Sequence, residues 1–351
     1  MNIFNTIGIM SGTSLDGLDI AYCTFRENNH GWDFRIEHAT TLKYSNEFRN
    51  KLANAWKLNT IDFLQFHNEF GTFIGKKVNQ FIKTRELNVD FISSHGHTIF
   101  HTPKSKFTFQ IGNGAFIAAE TGITTISDFR TFNVALGGQG APLVPIGDLL
   151  LFKNYDYCLN LGGFSNISFQ KQNKRIAYDI CPVNIAINHY AKQKGREYDK
   201  NGNIAKRGKV NIDLLENLNN LPYYAQKAPK SLGKEWLDKV FLPEVEKFDI
   251  SIEDKLRTIY EHAAMQIGKV LIYKKKKVLI TGGGAFNDFF IETLKEYSNS
   301  QIIIPNTFLI EYKEALIFAF LGVLRITNQE NCLKSVTGSS IDNIGGVIHR
   351  I

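Results

Sequence analysis

Two rhythms of apolar residues alternate along this chain. Near-continuous apolar runs mark buried strands, and recurrences every three or four residues mark helices. Residues 6–10 form the first apolar run, Ser11-Gly12-Thr13-Ser14 breaks it with small residues, and residues 18–25 resume it. This predicts strand, turn, strand. Leu64, His67, Phe70, Ile74, Val78 and Phe81 then share one helical face, predicting a long amphipathic helix. Residues 89–93 predict a strand leading into Ser94-His95-Gly96-His97-Thr98, and residues 107–111 another. Residues 113–121 predict a helix with Gly122 as its C-cap. A strand over 123–127 then delivers Asp128, Phe129 and Arg130 to its end.

The second half opens as the first does. Strands over 157–161 and 166–169 flank Gly162-Gly163, and a strand over 176–179 ends in Asp179. Helices are predicted over 184–193, within 202–221, and over 259–273, with a polar loop at 222–233. A strand at 278–281 meets Gly282-Gly283-Gly284, followed by a helix at 288–298, a strand at 301–304 and a helix at 312–326. Strands alternating with helices beside two hairpin-like openings give an α/β protein with mixed sheets, built as two similar halves. The glycine-dense Leu136-Gly137-Gly138-Gln139-Gly140-Ala141-Pro142 is a natural passage between domains. The expected domains are therefore 1–134 and 135–351, with the last residues free to return to the first. No strand runs into GxGxxG with an acid about twenty residues on, and no GxxxxGK[ST] occurs.

Composition narrows the function. A chain of 351 residues exceeds what one core usually supports, which favours two domains. Lys and Arg number 41 against 34 Asp and Glu, a net charge of +7 that is dispersed and makes no case for nucleic acid. The densest basic run, Lys274 to Lys277, reads as a solvated helix end. The four cysteines form no CxxC pair, which leaves zinc and iron–sulfur sites unsupported. The N-terminus lacks signal-peptide character, and the longest apolar stretch, 315–324, is about half of what a bilayer needs. The expectation is a soluble, cytoplasmic protein with no membrane partner.

Four constellations carry candidate chemistry. The first is Ser11, Gly12, Thr13, Ser14, Leu15, Asp16 and Gly17. Small residues between strands let backbone N–H groups converge on an anion, and Asp16 suits magnesium, directly or through water. A plain hydrophilic hairpin turn is the alternative. The second is Gly162 and Gly163, in the corresponding turn of the second half. Two such turns would clamp a polyphosphate. The third is Gly282, Gly283 and Gly284 up to Asn287, which admits a nucleotide base or ribose, or is a helix start capped by Asn287 or Asp288. The fourth is Asp128 and Asp179 at strand ends, where a base is needed near an alcohol, with Arg130 able to orient a substrate. Both acids also read as turn residues. His95, His97 and His101 can place two imidazoles on one strand face, but without HExxH or a further carboxylate they suit pocket lining better than metal.

These residues resemble the anhydro-N-acetylmuramic acid kinase family, within the sugar kinase, heat-shock ATPase and actin superfamily. The resemblance spans nearly the whole chain. Its anchors are Met10 to Gly17 (MSGTSLDG), His95 to Thr98 (HGHT), Gln110 to Gly112 (QIG), Asp128 to Arg130 (DFR), Leu136 to Pro145 (LGGQGAPLVP), Ala228 to Gly233 (APKSLG) and Gly282 to Asn287 (GGGAFN). It implies two actin-like, ribonuclease H-like domains flanking a deep cleft. It also implies ATP with Mg2+ as cofactors, ATP phosphates at Ser11 to Gly17, adenosine toward Gly282 to Gly284, and the sugar near His97, Asp128 and Arg130. Family members are often dimeric, so a homodimer is among the expected assemblies. The family couples hydrolytic opening of a 1,6-anhydro bond to phosphorylation of the freed 6-oxygen, in peptidoglycan recycling.

The family's base lies in Tyr-Asp-Thr-Gly-Pro-Gly-Asn. The matching segment here is Tyr178-Asp179-Ile180-Cys181-Pro182-Val183-Asn184. The resemblance thus places the base on Asp179 and keeps Asn184 with the substrate. It loses Thr and both glycines, so the turn is expected to take a different path, since valine enters positive φ less cheaply than glycine. Rival readings are a same-fold kinase for another sugar, an ATP-gated binding protein, and a pseudokinase.

Overall fold

The computed structural model describes residues 2–12 and 15–351, so Thr13 and Ser14 of the candidate phosphate turn lie outside the described residues. The chain forms two compact units: residues 1–151 with 312–351, and residues 152–311. The division therefore does not fall at the glycine-dense turn. That turn is tied into the first unit, where Gln139 N donates to Thr337 O and Gly140 N donates to Asn133 Oδ1 at 2.8 Å.

In the first unit, β1 (Ile3–Ser11), β2 (Leu18–Asn28) and β3 (Gly31–Leu42) form an antiparallel meander. β4 (Phe91–Thr102) runs parallel beside β1, β5 (Phe107–Ile111) pairs with β4, and β6 (Thr125–Ser127) lies parallel to β4 on its other side. β3 is not among the predicted strands. The second unit repeats the plan. β7 (Tyr157–Leu161), β8 (Phe164–Lys171) and β9 (Lys174–Pro182) form the meander. β10 (Lys277–Thr281) runs parallel beside β7, and β11 (Gln301–Ile303) parallel beside β10. β12 (Val347–His349) returns to the first sheet and pairs antiparallel with β6. The shared orders, β3-β2-β1-β4-β6 and β9-β8-β7-β10-β11, are the duplicated ribonuclease H-like topology of actin-like proteins.

Helices cover the sheets for readable reasons. α1 (Thr60–Lys83) starts at Asn59, whose side chain accepts from Asp62 N, and buries Phe66, Phe70, Ile74, Val78 and Phe81 on one face. α2 (Gly114–Thr121) ends at Gly122 in the left-handed conformation, as the sequence predicts. α3 (Asn184–Gln193), α4 (Ile252–Gly268) and α5 (Asp288–Tyr297) surround the second unit's core of Leu159, Leu161, Ile259, Ala263 and Ile280. α4 is capped by Ser251 and stops at Gly268, which leaves Lys274 to Lys276 in the loop before β10 rather than on a helix end. There Lys276 pairs with Asp156 at 2.6 Å. α6 (Thr307–Ile326) packs on the first sheet so closely that a Cβ on Gly8 would lie 2.0 Å from Ala315 O. None of the described helices is long and apolar enough to cross a membrane.

Candidate functional site

In the first unit the candidates gather where β1 ends beside the middle of β4. Ser11 pairs in register with His97 and is buried. Its hydroxyl lies 2.9 Å from His97 Nδ1 and 2.7 Å from the Tyr44 hydroxyl, so this side chain is engaged inside the protein. Leu15 N donates to Gly12 O at 3.1 Å, and Leu15 lies at φ +61°. Asp16 is exposed and has no partner among the described residues. Gly17 is needed for space, because a Cβ there would lie 2.7 Å from Leu42 O of β3.

His95 and His97 do not share a strand face. Gly96 sits at φ +72°, and the β1–β4 register shifts between Ile9 and Ser11. A bulge adds a residue and re-aims the side chains after it. His95 packs on Phe318 of α6 with ring centroids 4.6 Å apart, whereas His97 meets Phe70 of α1 edge-on at 6.5 Å. His101 turns to Thr108 instead, 3.1 Å away. The described residues contain no group of three or more His, Cys, Asp or Glu that could hold a metal ion.

Arg130 is held from two sides. Its Nε and Nη2 lie 3.0 and 2.9 Å from His95 Nε2, and Nη1 donates to Gly140 O at 2.6 Å. His95 Nδ1 lies 3.0 Å from Gly96 O, so Nδ1 carries the proton and Nε2 accepts. Burial, with Arg130 beside it, pushes His95 well below the ordinary histidine range and keeps it neutral. Asp128 adopts φ +55°, and its carboxylate accepts from Thr131 N at 3.2 Å. A non-glycine residue in that region is uncommon and gathers at functional sites.

In the second unit, the Gly162-Gly163 turn and the 282–284 segment meet at Asn184. Gly163 O accepts from Val183 N at 2.9 Å, and Gly162 O from Asn184 N at 3.2 Å. Asn184 Nδ2 donates to Leu161 O at 3.0 Å. Gly282, at φ +83°, and Gly284 are both close-packed, since a Cβ would lie 2.4 Å from Asn160 Oδ1 and 2.7 Å from Leu161 Cβ respectively. Gly283 and Gly163 have room for a side chain, since a Cβ would make only ordinary contacts, 3.7 Å from Asn184 Nδ2 and 3.6 Å from Ile185 Cβ. The Asn287 side chain caps α5 by accepting from Phe290 N, and donates to Tyr260 Oη at 2.7 Å.

Asp179 lies half-buried near the end of β9. Leu232 N donates to its Oδ2 at 2.9 Å, and Oδ1 has no partner among the described residues. The Tyr223 hydroxyl donates to its carbonyl at 2.6 Å, and its own N–H donates to Lys230 O at 3.3 Å. Burial raises the carboxyl above the ordinary aspartate range, with the Leu232 hydrogen bond opposing. The altered turn costs no left-handed geometry, because Val183 has φ −128° and is buried in the core. Cys181 is also buried there, its thiol pushed up to about 12, which leaves it unreactive. Sequence reading misses Tyr44, Tyr223, Leu232 and the role of His95. Of these, His95 and Leu232 lie within the family-like motifs, Tyr223 only within the polar loop at 222–233, and Tyr44 in no segment that it singles out.

Comparison with known proteins completes the picture. Residues 4–350 match the model of the anhydro-N-acetylmuramic acid kinase family. An anhydro-N-acetylmuramic acid kinase of Mannheimia succiniciproducens is 34% identical, over 97% of this chain and 98% of its own. Proteins of the same name from Sulfurovum sp. and Vibrio cholerae are 33% and 34% identical, over 99% and 98% of this chain and 99% and 97% of theirs. Among solved structures, a ROK family glucokinase from Streptomyces griseus aligns over 90% of this chain and 98% of its own, with a TM-score of 0.42 at 11% identity. The chain belongs to the anhydro-N-acetylmuramic acid kinase family.

Proposed function

We propose that this chain is a cytoplasmic, ATP-dependent kinase acting on 1,6-anhydro-N-acetylmuramic acid in peptidoglycan recycling. In the reaction, water's oxygen bonds to C1 as the C1–O6 bond breaks. O6 then bonds to the γ-phosphorus as the bond to ADP breaks, giving N-acetylmuramic acid 6-phosphate and ADP. The observation that carries the reading is Asp179: among the described residues one carboxylate oxygen is fixed by a main-chain N–H and the other is unengaged. Such a carboxylate takes a proton from water as C1 gains positive character, as the base of inverting glycosidases does.

Gly12 to Gly17, with Gly162 and Gly163, are assigned to the ATP phosphates, and Gly283 to the adenosine side. His97, Arg130 and Asp128 are assigned to the sugar. Ser11, Gly17, Gly282, Gly284, Asn184 and Asn287 shape these segments through their hydrogen bonds and close packing. Magnesium fits Asp16: its exposed carboxylate is the one-acid, phosphate-shared donor set that this ion favours. When bound, magnesium offsets charge on the phosphates.

The test is incubation with ATP and a panel of sugars, with the phosphate position read by NMR. The anhydro sugar should be converted and phosphorylated at O6; no ADP formation with it would sink the proposal. A second prediction concerns the Leu232 N–H. Leu232→Pro deletes that donor while Leu232→Ala keeps it. Losing a bond to the charged form raises the carboxyl's pKa, so the acid limb of kcat/KM should move to higher pH in the proline variant only. A pH profile identical in both variants would refute this.

A further inference from the structure

The loop that gives Asp179 its main-chain donor is held at its two ends. It leaves a short helix, Pro222–Ala225, and returns in another, Lys234–Trp236. Three contacts tie it to Asp179: the Leu232 N–H to the carboxylate, the Tyr223 hydroxyl to the carbonyl, and the Lys230 carbonyl to the N–H. Residues 225–229 between them are exposed and bring no side chain into the core. At the start of the loop, Tyr223 and Tyr224 cross edge-on with ring centroids 5.6 Å apart. At its return, Trp236 packs on both, at 5.4 and 6.3 Å. The polar anchor of this cluster is His262 of α4, which is fully buried. Its Nε2 lies 2.8 Å from the Tyr224 hydroxyl, and its Nδ1 lies 2.9 Å from Asn219 Oδ1. Gln266 Nε2 donates to the same Asn219 oxygen at 2.6 Å. Ring packing fixes a distance but tolerates sliding; a hydrogen bond to a buried, doubly engaged imidazole also fixes a direction.

We infer that His262 and Tyr224 are positioning residues for Asp179: their hydrogen bond seats the Tyr223, Tyr224 and Trp236 cluster, and through it the Leu232 N–H against the carboxylate. The inference rests on Asp179 being the base, under the proposed function. Among the described residues, neither His262 nor Tyr224 hydrogen-bonds Asp179 itself. Burial lowers His262 to about 3, so it stays neutral and its charge plays no part. The neighbours of Asp179 do not titrate in its place. Burial raises Tyr178, Cys181 and Tyr223, which keep their protons, and Lys230 Nζ is turned to the Tyr223 carbonyl at 3.2 Å. A cluster that slides weakens the Leu232 bond, and a weaker bond to the charged form raises the carboxyl.

The experiment compares Tyr224→Phe with Tyr190→Phe in the full chain. Each loses one phenol hydroxyl of the second unit, but the partner of Tyr190 is Glu246 Oε1, at 2.7 Å. The first measurement is deuterium exchange of the Leu232 amide in 15N-leucine-labelled protein without substrate, Leu232→Ala identifying the signal. Exchange should be about two- to tenfold faster in Tyr224→Phe, the loss of one hydrogen bond, and unchanged in Tyr190→Phe. Wild-type exchange in Tyr224→Phe, or equal acceleration in both, overturns the inference. The second measurement is the pH profile with the anhydro sugar. The acid limb of kcat/KM should move to higher pH in Tyr224→Phe only. Loss of folded enzyme lowers the rate at every pH without moving the limb, so an unmoved limb overturns the positioning role. His262→Leu removes the other partner and should reproduce both changes; wild-type behaviour there refutes the inference as well. Faster exchange in an enzyme whose wild type shows no acid limb would instead strike the base assignment and leave the seating of the loop intact.

Discussion

Asp179→Asn is expected to lower conversion of the anhydro sugar by about 10²–10⁴-fold while leaving ATP affinity intact. Asparagine matches aspartate in shape, and its amide oxygen can still accept from Leu232 N, so β9 and the 228–233 loop keep their contact. What it lacks is the capacity to take a proton. The direction of the pKa shift adds a second signature. Burial raises Asp179, so the wild-type rate should begin to fall with acid above the ordinary carboxylate range. The residual rate of the variant should lack that limb. Product formation, ATP binding by calorimetry and the pH profile check the three parts, and a full-rate variant would remove Asp179 from the mechanism.

Gly8→Val should damage the fold strongly at a position outside the candidate ligand contacts. Ile7 and Ile9 point toward α1 and are fully buried, which turns Gly8 to the opposite face, against α6. A Cβ at Gly8 would meet Ala315 O at 2.0 Å and Ala319 Cβ at 2.8 Å. The first of these is backbone, so no rotamer change relieves it. Overpacking typically costs about 1–3 kcal/mol, and a clash with a helix backbone belongs at or above the top of that range. A loss of at least about 3 kcal/mol corresponds to a fall in Tm of roughly 6–12 °C for a domain of this size. Gly122→Ala is the control. Its Cβ would meet nothing within 4 Å, and φ +66° alone costs about 1–2 kcal/mol. Equal Tm losses in the two variants would refute the packing argument.

Much of the architecture is written in local patterns. Of the face read as Leu64, His67, Phe70, Ile74, Val78 and Phe81, the last four are buried in α1 whereas Leu64 is exposed, and strands 107–111 and 157–161 stand where their apolar runs put them. β3 carries a weaker signal of the same kind: Trp32, Phe34 and Ile36 alternate with Asp33, Arg35 and Glu37, the period of a half-exposed strand. The helix predicted over 259–273 begins instead at 252, because Ser251 and Asp254 form its cap, and ends at Gly268, where the glycine packs against Tyr297. The site is legible wherever side-chain chemistry sits in a distinctive segment, as with Asp179, Arg130 and the glycine turns. It is illegible where the contribution is a main-chain donor, as at Leu232. Tyr44 has no signal either, since its partner lies 33 residues away and only the packing of β1, β4 and α1 brings the two together. The face that His97 takes depends on one bulge, and a count of residues along a strand cannot supply it.

The pairing of β12 with β6 also orders events during synthesis. The second unit is one continuous stretch, residues 152–311, so every strand of its sheet is available once that stretch has emerged. The first unit begins earlier in the chain but stays open. The helix that covers Gly8 and the strand that pairs with β6 both come after residue 306. Domains generally fold as units while the chain is made, and contacts distant in sequence form slowly. The later-starting unit is therefore expected to fold first, while the nascent first sheet waits with one face bare and β6 unpaired on one side.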